Sequence, residues 1–192
     1  EKLLGRLKDP ILSAGNLGNL GNAYHSLGQL ERSVKLYEQA LDIVRRTGDR
    51  QNEVVWLGLL GFSYRSLGQL EQAIKFYEQA LDIARSIGNR RYEGTWLGNL
   101  GLAYHQLGQF ERASRLYEEA LVVNREVGDR LGEGHWLGFL GRTHRCLGQI
   151  DQAIEFYEGA LAVARQLGDR RKESIWLSNL GHAHYDIGQF EQ

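Results

Sequence analysis

Every landmark of this sequence recurs forty residues further on. Gly21, Gly61, Gly101, Gly141 and Gly181 form one such series, and Gly28, Gly68, Gly108, Gly148 and Gly188 another. Tyr37, Tyr77, Tyr117 and Tyr157 are equivalent, as are Trp56, Trp96, Trp136 and Trp176. A fixed period of this size means that one small supersecondary unit is copied along the chain. Each copy buries its apolar faces against its neighbours, because it cannot bury them alone. That constraint leaves no room for a mixed sheet or for a second, unrelated domain.

The unit is clearest from Leu97 to Leu121, LGNLGLAYHQLGQFERASRLYEEAL. Leu97, Leu100, Gly101, Tyr104 and Leu107 recur at spacings of three and four, the face of one helix. Gly108 ends that helix, and Phe110, Ala113, Tyr117, Ala120, Leu121 and Asn124 restart the period. Small residues at Gly101, Ala113 and Ala120 oppose the large Tyr104 and Tyr117, so the two helices pack closely and antiparallel. Projected along the chain, the pattern predicts first-type helices near 10–27, 50–67, 90–107, 130–147 and 170–187. Second-type helices are predicted near 30–47, 70–87, 110–127 and 150–167. Asp9, Asp49, Asn89, Asp129 and Asp169 stand where first-type helices need an N-cap, and Pro10 suits a first helical turn. Glu1 to Lys8 reads as the tail of a preceding second-type helix, and Phe190 as the start of another.

The pattern L-G-x-x-Y-x-x-x-G-x-x-x-x-A-x-x-x-Y-x-x-A-L resembles the tetratricopeptide repeat, a helix–turn–helix unit, over nearly the whole chain. The usual unit has about 34 residues. Here extra residues such as Gly128 to Glu133 lengthen the first helix of each pair. In this longer form the chain is similar to the repeats of kinesin light chains, spindle-orientation adaptors and bacterial signalling proteins with repeat sensors. The resemblance implies an all-α, right-handed α-solenoid of stacked antiparallel helix hairpins. It also implies that first-type helices line a concave side. The expected organisation is a single array over 1–192, with four full repeats at about 17–176 and partial ones at both ends.

Composition narrows the function classes. A net charge of -1 provides no general attraction to nucleic acid or anionic lipid, and the 42% of apolar residues never gathers into a membrane-length run. The one cysteine, Cys146, excludes an internal disulfide framework and suits a reducing, cytoplasmic setting. With no methionine and with ends that fall inside repeats, the chain is expected to be a piece of a longer protein. The incomplete ends, with Leu3, Leu4 and Leu7 at one and Leu177, Leu180 and Ile187 at the other, raise the expectation of head-to-tail self-association.

Most repeated residues read as packing. Each tryptophan sits four residues before a leucine and widens the apolar stripe. Arg45, Arg85, Arg125 and Arg165 precede Glu53, Glu93, Glu133 and Glu173 by eight residues, an ion-pair ladder across the inter-repeat turn or a set of ligand contacts. Gly18, Gly58, Gly98 and Gly138 lie mid-helix, where glycine costs about 1 kcal/mol relative to alanine. Something needs that space, either a neighbouring first-type helix or a ligand backbone.

The residues that vary between copies lie opposite the packing stripe. In repeat three these outward positions are Thr95, Gly98, Asn99, Leu102, His105 and Gln106. One column reads Asn22, Phe62, Leu102, Arg142 and His182, and another His25, Arg65, His105, Arg145 and Tyr185. A surface that reads a non-repetitive partner varies in this way, and so does an idle solvated face. A third column holds Asn19, Asn99 and Asn179, with Leu59 and Phe139 between them. It resembles the asparagine ladder with which some tetratricopeptide proteins, including O-GlcNAc transferase and kinesin light chain, hold peptide backbones. The expected groove therefore uses Asn19, Asn22, Asn99 and Asn179 for polar contact and Phe62, Leu102 and Phe139 for apolar contact. His25, Arg65, His105, Arg142, Arg145, His182 and Tyr185 complete it, with its basic members facing acidic groups.

No catalytic constellation is visible. His144 and Cys146 are two apart on one helix and face different ways, as do His182 and His184, and no phosphate-binding glycine loop occurs. The reading is therefore no enzyme, no cofactor and no metal. A groove for a partner peptide or helix, preferring acidic segments, is expected. The alternative is a regulatory or oligomerising module of a larger signalling protein.

Overall fold

The structure, a computed structural model, describes residues 10–188, without the side chains of residues 10–12. The expectations for Glu1 to Lys8, Asp9 and Phe190 lie outside the described residues. Nine helices and no strand occur among the described residues. We number them α1 (Pro10–Ser26), α2 (Leu30–Thr47), α3 (Arg50–Ser66), α4 (Leu70–Ser86), α5 (Arg90–Gln106), α6 (Phe110–Glu126), α7 (Arg130–Cys146), α8 (Ile150–Gln166) and α9 (Arg170–Asp186). Odd-numbered helices are first-type and even-numbered ones second-type, each ending within one residue of its predicted position. The chain falls into two compact units that divide between Tyr92 and Glu93.

The helix ends follow from local chemistry. Asp49, Asp129 and Asp169 accept hydrogen bonds from the backbone N–H of Asn52 (3.1 Å), Gly132 (3.0 Å) and Lys172 (2.9 Å), and Asn89 accepts from that of Tyr92 (3.1 Å). These side chains satisfy N–H groups that a helix start leaves unpaired. At the turn after α5, Gly108 adopts φ +74°. That left-handed conformation lets its N–H reach His105 O (3.0 Å) while Gln109 N–H reaches Tyr104 O (2.9 Å).

Two glycine–aromatic contacts hold the helices together. Within a hairpin, the tyrosine of the second-type helix lies flat on the glycine of the first. A Cβ added at Gly21, Gly101 or Gly141 would come within 2.6–2.7 Å of the ring of Tyr37, Tyr117 or Tyr157. Between hairpins, the tryptophan of the next first-type helix fills the mid-helix glycine. A Cβ at Gly18 or Gly98 would lie 2.0 Å from the indole of Trp56 or Trp136, and one at Gly138 would lie 2.1 Å from that of Trp176. The mid-helix glycines are thus spaces for an indole. Gly98, grouped with the outward positions on sequence, is buried under Trp136 and presents nothing to a ligand. Tyrosine and tryptophan then meet, with ring centroids 6.3 Å apart for Tyr37–Trp56, 5.8 Å for Tyr117–Trp136 and 6.3 Å for Tyr157–Trp176. All four tryptophans are buried.

The arginine–glutamate ladder is structural; Glu53, Glu93 and Glu133 are buried and Glu173 is half-buried. Arg45 Nε donates to Glu53 Oε1 at 2.9 Å and Arg50 Nη1 to Glu53 Oε2 at 2.6 Å. Arg125 and Arg130 bind Glu133 in the same way, as do Arg165 and Arg170 with Glu173. Glu53 is 5% exposed. Burial pushes its pKa up, but the two guanidinium hydrogen bonds outweigh that and hold it below 4.5.

Two predictions follow from this packing. Gly98→Ala should destabilise the protein by about 1–3 kcal/mol through a clash with Trp136. Gly15→Ala, with nothing among the described residues within 4 Å of its added Cβ, should stabilise it by about 0.5–1 kcal/mol; urea titration of both variants separates the two cases. Glu53→Gln should cost about 1–2 kcal/mol near neutral pH, because its arginine partners are about half exposed. A depressed folded pKa contributes stability above the unfolded pKa and loses it as pH falls through the folded value. The gap between wild type and variant should therefore close as pH falls below about 4.5, read by denaturant titration at several pH values.

Candidate functional site

The fourteen candidate residues all sit on first-type helices, and each is half-buried or exposed. In the first unit, α1 carries Asn19, Asn22 and His25, and α3 carries Phe62 and Arg65. Phe62 is clasped by two cationic or ionisable groups. The His25 ring stacks on it at 4.7 Å, and the Arg65 guanidinium lies over its face at 5.2 Å. Burial, followed by the nearby Arg65 charge, lowers the His25 pKa below 6.5. Asn19 is exposed. Asn22 is already engaged, since its Oδ1 accepts the Tyr37 hydroxyl at 2.7 Å.

In the second unit the structure brings some of the expected residues together and leaves others apart. Asn99, Leu102 and His105 lie on α5. The Asn99 amide donates to Thr95 O in its own helix at 2.8 Å, which occupies one of its donors. His105 meets Phe110 edge-on at 5.1 Å, and burial and then Arg142 lower its pKa below 6.5. His25 and His105 therefore gain charge only at lower pH than a free imidazole does. On α7, Phe139 is the hub. His135 stacks on it at 5.0 Å and Tyr117 at 5.7 Å, Trp136 lies tilted against it at 6.1 Å, and Arg142 covers it at 5.1 Å. Arg145 Nε donates to Asp186 Oδ2 at 2.6 Å. His182 and Tyr185 are exposed on α9 and line neither of the pockets described next.

Two pockets in the second unit share the side chains of Arg142 and Asn179. One, of about 400 Å³, is lined by His135, Phe139, Lys172, Ile175 and Trp176 besides the shared pair. The other, of about 440 Å³, is lined by Arg145, Cys146, Tyr157 and Asp186 besides that pair. Burial, followed by Lys172, brings the His135 pKa down to about 4, so its ring is neutral at physiological pH and acts as a flat surface. His135, Lys172, Ile175 and Asp186 are absent from the sequence-derived set. His135 and Ile175 occupy the column of Thr95, itself an outward position, so following that one column would have found both. Among the described residues no three His, Cys, Asp or Glu side chains converge as a metal site, and no helix is long and apolar enough to cross a membrane.

The tetratricopeptide-repeat family model matches residues 12–86, 52–126, 92–166 and 132–192. Among solved structures, aspartyl phosphate phosphatase F from Bacillus subtilis is 23% identical, with a TM-score of 0.86 over 95% of this chain and 49% of its own. The chain thus spans about half the length of that phosphatase chain. The apo form of RapI is 16% identical, with a TM-score of 0.87 over 98% of this chain and 71% of that one. The nearly identical TPR-like repeats of a Podosopora anserina chain assigned to kinesin light chain are 20% identical, with a TM-score of 0.79 over 95% and 90%. At these identities the likeness is one of fold. No curated protein matches the chain.

The engagement of Asn22 generates a prediction. Asn22→Ala should leave the buried Tyr37 hydroxyl without its acceptor and cost about 1–3 kcal/mol, whereas the exposed Asn19→Ala should lie within about 0.5 kcal/mol of wild type. Thermal melts of the two variants measure the difference.

Proposed function

The chain belongs to the tetratricopeptide repeat family, whose fold is a protein-interaction module, and on that premise we propose that the outward side of its first-type helices holds a peptide or helical segment of a partner protein. The observation that supports this most is the pocket at Phe139. A half-buried aromatic ring there is flanked by a neutral histidine and Ile175, while Arg142 and Lys172 sit at the same opening. An apolar side chain of the partner fills such a pocket, and acidic neighbours meet its cations. In the first unit Phe62, with His25 and Arg65 around it, offers a second contact of the same kind. The exposed free thiol of Cys146 fits a cytoplasmic setting. Placement in a larger regulatory protein is a second reading, supported by the likeness to phosphatase F over about half of that chain.

Pull-down with the intact chain, followed by identification of the bound segment, tests the proposal. Phe139→Ala should weaken capture of that segment at least tenfold, in line with the loss of a central aromatic anchor. Affinity for an acidic segment should fall as salt rises from about 0.05 to 0.5 M. Because burial lowers the pKa values of His25 and His105, affinity should stay level from about pH 8 to 6.5 and rise only at lower pH, as their rings gain charge. Binding indifferent to Phe139→Ala and to salt would overturn the reading.

A further inference from the structure

Sulfur occurs at one place in this sequence, Cys146, since there is one cysteine and no methionine. The thiol is exposed at the end of α7 and lines the pocket of about 440 Å³ with Arg142, Arg145, Tyr157, Asn179 and Asp186. Arg142 precedes it by one helical turn, the i, i+4 spacing that makes two side chains neighbours. In the first repeat Ser26 holds the equivalent position, and its Oγ donates to Asn22 O at 3.0 Å. By that equivalence the Cys146 side chain leans back over the turn of Arg142.

The same pocket holds a donor with nothing to donate to. Tyr157 is 0% exposed, and its hydroxyl has no hydrogen-bond partner among the described residues. The equivalent Tyr37 donates to Asn22 at 2.7 Å, but position 142 is an arginine, which has donors and no acceptor. Burial pushes the Tyr157 pKa up to about 12; Arg145 and Arg142 oppose that, and a charge on Cys146 adds to it. The hydroxyl therefore keeps its proton and stands in the field of the thiol. The nearby cations are not both neutralised. Arg145 holds Asp186 at 2.6 Å, whereas Arg142 has no ion pair among the described residues and leans on the Phe139 ring. The sulfur itself makes no bond to the Tyr157 hydroxyl. An oxygen added to it lengthens the side chain by one bond, accepts hydrogen bonds and carries the negative charge that Arg142 lacks.

We propose that Cys146 is a site of oxidation by hydrogen peroxide, whose sulfenate oxygen accepts the Tyr157 O–H and the Arg142 guanidinium. The thiolate sulfur attacks one peroxide oxygen; an S–O bond forms, the O–O bond breaks and hydroxide leaves. The hydroxide takes the proton of the sulfenic acid, giving sulfenate and water. Sulfur loses two electrons and the peroxide gains them. With no second cysteine in the sequence, no disulfide within this chain can follow. The sulfenate persists until an external thiol reduces it or more peroxide converts it to sulfinate. Arg142 also lines the pocket at Phe139, so the modification changes the charge of that pocket too.

The test oxidises the intact chain with hydrogen peroxide, removes the excess with catalase and traps sulfenate with dimedone at successive times before mass spectrometry. Wild type should carry one adduct, at Cys146, and Cys146→Ser none. Trappable sulfenate should last about tenfold longer in wild type than in Tyr157→Phe or Arg142→Gln, the effect of losing one hydrogen bond to a charged group. Tyr157→Phe keeps the ring on Gly141 and removes an unpaired hydroxyl, so the reduced variant should melt no lower than wild type. Conversion to the stable sulfinate should raise the melting temperature of wild type by about 2–4 °C and leave that of Tyr157→Phe unchanged. No adduct at Cys146 overturns the site. Equal sulfenate lifetimes in wild type and Tyr157→Phe, or an equal melting shift on oxidation, overturn it as well and leave an ordinary exposed thiol.

Discussion

A glycine without a side chain, faced by an aromatic ring that occupies the space, is the contact on which this molecule depends. It occurs in two forms. Tyr117 lies on Gly101 and joins the two helices of one hairpin, and Trp136 enters at Gly98 and joins that hairpin to the next. The two rings then approach to 5.8 Å, so the joint within a hairpin and the joint between hairpins are parts of one packed cluster. Close packing makes such contacts sensitive to a single methyl group. It also fixes the spacing of the first-type helices, since the indole can reach its glycine only when the neighbouring helix is at one distance and rotation. The buried Glu53 and Glu133, each held by two arginines, fix the inter-repeat turns in the same register.

With the packing side determined this tightly, the outward side is free to differ. The column of Asn22, Phe62, Leu102 and Arg142 shows how much a single change there can do. Asn22 accepts the hydroxyl of Tyr37 beneath it, while the equivalent Tyr157 beneath Arg142 is buried with no such partner among the described residues. The same backbone thus carries a satisfied tyrosine hydroxyl in one repeat and a buried, unpaired one in another. The histidines follow a related logic. Burial, and after it a neighbouring cation (Arg65, Arg142 and Lys172 in turn), keeps His25, His105 and His135 neutral where an isolated imidazole would begin to charge.

Periodicity made most of the fold legible. Helix bounds, the capping role of Asp49 and Asp129, the burial of the tryptophans and the Arg–Glu ladder all follow from one-dimensional spacing, because each is a local or nearest-neighbour relation. The mid-helix glycines were readable as a need for space, yet the occupant, an indole from the following repeat, is a relation across three dimensions. The candidate site was legible by column and not by side-chain direction. Asn22 and Asn99 stand on the outward side as expected, but their amides turn to Tyr37 and to Thr95 O, which helical phase does not reveal. Lys172 went unread because it reaches the Phe139 pocket only when α7 and α9 are set side by side, whereas His135, four residues before Phe139 on the same helix, stood in the outward column of Thr95.

The direction of the tryptophan contact has an evolutionary consequence. Helices α5 and α7 each carry both halves of the fit: a glycine that receives, Gly98 or Gly138, and, on the same helix two residues earlier, a tryptophan, Trp96 or Trp136. A duplicated forty-residue block therefore arrives with a matching surface at each end, and the array can gain or lose a block by recombination without any compensating substitution. A shift of even one residue within a block would turn glycine and indole away from each other. Selection on such a gene would be expected to tolerate changes of length in whole multiples of the block while removing small insertions inside it, and the outward columns would be left to diverge after each copying event.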